Sequence, residues 1–183
     1  MRYLFFMPFI LLAACNNHSS NQIAVSNNQY LLKKGDSIAT LAQKILLQKV
    51  SNAIELGGTD YAISFCNENA LKLTDTLASI NNVKLSRVTD RNRNSNNALK
   101  TTTDTVAWNK MKIKQASVIE TNNNGEVYFY KPIVMAMPTC LKCHGKETEI
   151  TKSTLQLISE KYPKDKALHY NAGELRGMWK IKM

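Results

Sequence analysis

Cys140-Leu141-Lys142-Cys143-His144 places two thiols three positions apart, with an imidazole directly behind the second. On a helix, that spacing sets both sulfurs on one face, one turn apart. Two such thiols can each add to one vinyl group of the same porphyrin. The adjacent histidine is then held under the iron as proximal ligand. The pattern is the attachment sequence of c-type haem. Other chemistries use parts of it. A redox Cys-x-x-Cys pair opens a helix after a strand in a thioredoxin-like unit, and no βαβ pattern is visible in the chain. A zinc site needs a second ligand pair, for which only Cys66 and His169 remain. A plain disulfide gives His144 no role. The expectation is one covalent haem c on the thioethers of Cys140 and Cys143, with His144 on the iron.

The other cysteines are Cys15 and Cys66. Residues 1–14, MRYLFFMPFILLAA, carry one positive charge, an apolar run and small residues before Cys15, which reads as a signal peptide. Leu12-Ala13-Ala14-Cys15 resembles the lipobox of bacterial lipoproteins, in which the cysteine is lipidated and becomes the N-terminus. Residues 15–35 then read as a polar, lipid-anchored tether and 36–183 as the folded domain. The expected location is the cell envelope, on the periplasmic side, an oxidising compartment. With Cys15 lipidated and Cys140 and Cys143 on haem, Cys66 is left as an odd thiol on an apolar helical stripe, where a free cysteine can also be plain core. The formal charge of +10 is spread over the sequence. It suits acidic protein partners, and nucleic acid is not expected for an exported chain.

Periodicity predicts two long helices, over 36–56 and 60–80. Asp36 or Ser37 would cap the first, and Gly57-Gly58 would end it. Apolar residues of the first fall at Ile38, Leu41, Ala42, Ile45, Leu46 and Val50. Then come a short strand over KLSRV, a polar loop, a helix through Trp108, and two β-rich runs flanking Asn122-Asn123-Asn124-Gly125, a hairpin signature. A short helix near 155–162 and a final strand over RGMWKIKM complete the chain. The fold class is α+β: an antiparallel sheet with helices on one side.

The blocks AISFCNENA, RVTDRNRNSNNAL, YFYKPIVMAMPTCLKCHG and YPKDKALHYNAGELRG, in that order, resemble bacterial haem-c-binding domains with a PAS-like fold. That family occurs as lone periplasmic or lipid-anchored proteins and as sensor regions. The resemblance runs from about Leu41 to Met183. Two positions depart from it: Ser95 stands where proline is usual, and Glu174 where aspartate is common. The resemblance implies that Cys66 is the distal iron ligand opposite His144. Such a thiolate would stabilise Fe(III) and lower the reduction potential. It also puts Arg87 and Arg93 on the family's arginines. They read equally as propionate contacts and as loop braces bonding backbone carbonyls, and Arg91 and Arg176 share both readings. His169 is a weaker alternative ligand, Met135 and Met137 lie too near the attachment point to reach the opposite face, and Met178 reads as core.

Two functions follow. One is a lipid-anchored monohaem c-type cytochrome passing electrons to redox partner proteins. The alternative is a haem-based redox or NO/CO sensor acting through a partner. An enzyme would need an open distal site with polar groups, so no catalytic residue is assigned.

Overall fold

The computed structural model describes residues 18–183, with side chains from Asn27 onward. The signal segment 1–14 and Cys15 lie outside the described residues. Helix α1, His18–Ile80, is broken where the backbone turns non-helical at Gly57 and Gly58. Gly58 has φ 69°, the left-handed region that glycine enters without strain, so the predicted boundary between two helices is there. The predicted start is not. Asp36 and Ser37 lie inside the helix, and 18–35, expected as tether, is helical. The reason is tertiary. Gly35 lies against Phe129 so closely that a Cβ would stand 2.3 Å from its ring, and Asp36 pairs with Lys131.

The sheet comprises β1 (Lys84–Val88), β2 (Val118–Thr121), β3 (Val127–Val134) and β4 (Leu175–Lys182). It is antiparallel, in the order β1-β4-β3-β2. The predicted hairpin joins β2 to β3, with Asn122 Oδ1 accepting from the amides of Asn124 and Glu126 and Gly125 at φ 77°. Pro132 sits in β3 beyond the end of β2, whose pairing stops at Tyr130. Its missing N–H therefore falls on an open edge.

Alternation along β4 splits the core in two. Trp179 and Ile181 join Leu85, Phe129 and Leu77 beneath the Ile38, Ala39 and Ala42 stripe of α1. Leu41 is exposed, so the α1 stripe is narrower than the predicted one. Met178, Val88 and Tyr130 pack on the opposite face against Ala107, Trp108 and Met111 of α2 (Thr102–Ile113). Helices thus cover both faces, not one. The helix predicted through Trp108 carried no indication of which face it would cover. Asp104 of α2, fully buried, accepts from Tyr130 Oη at 2.8 Å and pairs with Lys180 at 2.7 Å. On the α1 side, α4 (Lys152–Lys161) packs Ile158 against Ile63 of the second arm of α1.

Gly35→Ala is expected to destabilise the protein by about 1–3 kcal/mol in urea unfolding, because the Phe129 ring must move to admit a methyl. Burial would raise the Asp104 carboxyl. Lys180, Tyr130 and the Lys100 amide outweigh it and hold the group below its ordinary value. Its contribution is therefore present above the ordinary carboxylate range and lost as pH falls through the lowered value. An acid titration of Asp104→Asn should show a flatter stability loss than the parent.

Candidate cofactor site

The predicted attachment residues form α3, Pro138–His144, which follows β3 closely. Pro138 opens it, where a missing N–H costs nothing. Cys140 and Cys143 stand three positions apart on this helix. Both are free thiols and partly buried, as is Cys66. Cys140 packs with Met135, Ala167 and Tyr170, and Cys143 with Ile63, Ile158 and Tyr162. Burial pushes the Cys143 thiol up to about 11.

The last carbonyls of a helix have no partner within it, and in α3 the chain after α4 supplies them. The amides of His169 and Tyr170 donate to the carbonyls of Gly145 and His144, at 2.8 and 2.9 Å. Arg93 Nη2 donates to the Cys143 carbonyl at 2.7 Å. The Arg93 guanidinium also pairs with Asp165 through Nε and Nη2. Both side chains of that pair are about 10% exposed or less. The imidazole is tied in the same way: His144 Nδ1 lies 2.8 Å from the Ala167 carbonyl. A carbonyl only accepts, so Nδ1 carries the proton and Nε2 keeps its lone pair. Burial first, then Arg93 and Arg176, push His144 well below its ordinary value, so the ring is neutral. Tyr170 meets the His144 ring edge-on, with centroids 6.2 Å apart.

Cys66 lies on the second arm of α1, facing this group. Burial pushes its thiol up, opposed by the charges of Arg87 and Arg93. Its own charge acts on Cys143 and on Tyr162. Arg93 thus stands among Cys66, Cys143 and His144. Arg87 donates to the Ala70 carbonyl, one turn beyond Cys66, and its guanidinium lies 5.7 Å from the Trp179 ring centroid. Arg91 pairs with Glu174 and stacks 3.8 Å over Tyr170. Arg176 donates to the Arg91 carbonyl and lies 5.3 Å from the same ring.

The structure brings Cys66, Cys140, Cys143, His144, Arg87 and Arg93 into one region. His169 has an exposed ring and φ 62°, and its amide caps Gly145, so its role here is in the backbone. Met135 and Met178 are core, and Met137 is exposed. Among the described residues, no three His, Cys, Asp or Glu side chains gather as a metal cage, so the zinc alternative lacks its ligand set. Two same-face thiols, an imidazole with one free nitrogen, and buried guanidinium N–H groups without partners at Arg87 and Arg176 fit a porphyrin held through its vinyl and propionate groups. Sequence reasoning missed Tyr162, Asp165, Ala167 and Tyr170. All four fall in the YPKDKALHYNAGELRG block, whose order alone does not say that it straps α3.

A family model described as Tll0287-like matches residues 17–183. No curated protein matches the chain. A solved structure described as the cyanobacterial haem protein Tll0287 is similar in fold. The TM-score is 0.56 at 23% sequence identity, covering 92% of this chain and 96% of that one.

Asp165→Ala would leave the Arg93 charge buried without its carboxylate. A loss of about 3–5 kcal/mol in urea unfolding is expected.

Proposed function

We propose, starting from the fact that the chain belongs to the Tll0287-like family, that it is a lipid-anchored monohaem c-type cytochrome carrying electrons in the cell envelope. On this reading the sheet and its covering helices form a PAS-like haem-binding domain. The observation that carries the reading is α3. Its two free thiols are one turn apart, and the imidazole behind them is neutral, with Nδ1 held by Ala167. The solved relative is described as a haem protein, which supports the same assignment.

Bound at this site, haem supplies a one-electron Fe(III)/Fe(II) couple. The chain does the rest. Cys140 and Cys143 would hold the porphyrin by thioether bonds, and His144 would offer Nε2 to the iron. Cys66 would offer its sulfur as a second iron ligand, and an anionic ligand favours Fe(III) and lowers the potential. Tyr162, Ile63 and Ile158 shelter the thiol side from water. Cys15 carries the lipid. The basic surface suits transient docking to acidic redox proteins. Among the described residues no helix is long and apolar enough to cross a membrane, so on this reading membrane attachment rests on Cys15. The chain binds no nucleic acid and catalyses no reaction of its own.

A redox or NO/CO sensor acting through a partner is the second reading, and one feature favours it. Cys66 rides on the arm of α1 beyond the Gly57–Gly58 break. Loss of its bond to iron would free that arm to move at the glycines.

The test is the matured protein, purified from an export host with haem-attachment machinery. Covalent haem, visible after denaturing electrophoresis, is expected in the parent and absent from Cys140→Ser/Cys143→Ser. An oxidised low-spin thiolate EPR signal is expected and should vanish in Cys66→Ala, with a rise in reduction potential. An unchanged signal would remove Cys66 as a ligand. Fast, reversible reduction without CO or NO binding supports the carrier; slow ligand exchange with gas binding supports the sensor.

A further inference from the structure

Four arginines crowd the site, and their partners divide them. Arg91 pairs with Glu174 and Arg93 with Asp165. Arg87 and Arg176 have no carboxylate within ion-pair reach among the described residues. Each gives one N–H to a backbone carbonyl, of Ala70 and of Arg91 respectively. In each, the Nε–H is buried and bonded to nothing. Asp75 shares a cleft of about 220 Å³ with Arg87 but does not pair with it. Burial holds both guanidinium groups below their ordinary range, Arg176 at about 10.

A buried cation with no counterion is among the most costly features a fold can carry. Arg87 and Arg176 are half-buried, each with a buried Nε–H and no ion-pair partner among the described residues, so each favours a negative charge from elsewhere. Their placement says what brings those charges. Arg87 lies on the Cys66 side, bonded to α1 one turn beyond that thiol. Arg176 lies on the His144 side, over the Tyr170 ring whose neighbour is the imidazole. The two share adjoining strands: Arg87 pairs with Trp179 in β1–β4, and Arg176 is three residues up β4 from that tryptophan. They therefore flank the space between the proposed axial ligands.

We propose that Arg87 and Arg176 each bind one of the two propionate groups of the porphyrin, and that Arg93 is an internal brace for α3. The assignment rests on the haem reading above. A guanidinium Nε–H beside an Nη–H matches a carboxylate, and the Nε–H is what both arginines leave open; in Arg87 the neighbouring Nη2 also donates to Ala70. Arg93 spends its donors on Asp165 and the Cys143 carbonyl. The thiolate of Cys66 does not meet the need of Arg87, since the ferric iron balances it.

Arg87→Gln and Arg176→Gln, made in the full chain, test this. Each is compared in the haem-loaded protein and in the haem-free Cys140→Ser/Cys143→Ser background. Without haem, each change removes an uncompensated buried charge, so the melting temperature should rise. With haem, the same change strands a propionate, so it should fall. The reduction potential should also gain a pH-dependent step as that propionate begins to titrate. Where a glutamine variant does not fold, Arg87→Lys or Arg176→Lys keeps the charge and loses the fork, and a smaller step of the same kind is expected. Shifts of equal sign in both forms, with a pH-independent potential, would overturn the propionate assignment alone. So would an Arg87 effect that disappears in Cys66→Ala, since the arginine would then serve the thiolate. A parent chain that takes up no haem overturns this assignment together with the haem reading.

Discussion

Seven residues are too few for a helix that stands by itself, because the first turn of a helix is formed at a loss. Helix α3 has that length, and it carries both proposed attachment thiols and the imidazole. Its geometry must come from outside. The segment 165–170 provides it: two amides and one carbonyl bind the end of α3, and Asp165 holds the arginine that binds a third carbonyl. Each bond satisfies a group that would otherwise be buried without a partner. The strap therefore sets the direction of His144 and the height of Cys143 together.

The sheet and α1 supply the opposite wall. The first arm of α1 is pressed onto the sheet at Gly35 and along Ile38, Ala39 and Ala42. The glycine break then lets the second arm leave at another angle. A knot of hydroxyls fixes that angle: Thr154 of α4 meets both Thr59 and Asp60 in the first turn after the break. Cys66 comes one and a half turns later. The thiol thus reaches the site on a rigid arm, anchored beside α4 and again by Arg87 at Ala70.

Charge binds these two walls. Arg93 acts at once on Cys66, Cys143 and His144, and its partner Asp165 belongs to the strap. On the far face of the sheet, Asp104 and Lys180 make a second buried pair that holds α2 in place and touches none of the site residues. The two faces have separate work: one is a stable backing, the other surrounds the candidate cofactor site.

Much was legible in the sequence because it depended on neighbours a few residues away. The Cys140-Cys143-His144 spacing, the glycine pair ending a helix, the Asn-Gly hairpin and the alternation of β4 are local patterns with local causes. What the chain pattern could not decide were the long-range bonds. Gly35 and Asp36 look like the start of a helix, and only contact with Phe129 and Lys131 keeps them inside one. His169 looks like a spare ligand, and only its positive φ and its bond to Gly145 show a backbone role. Arg87 and Arg93 are the same residue type in similar surroundings along the chain. Asp165, more than seventy positions away, takes one of them and leaves the other open.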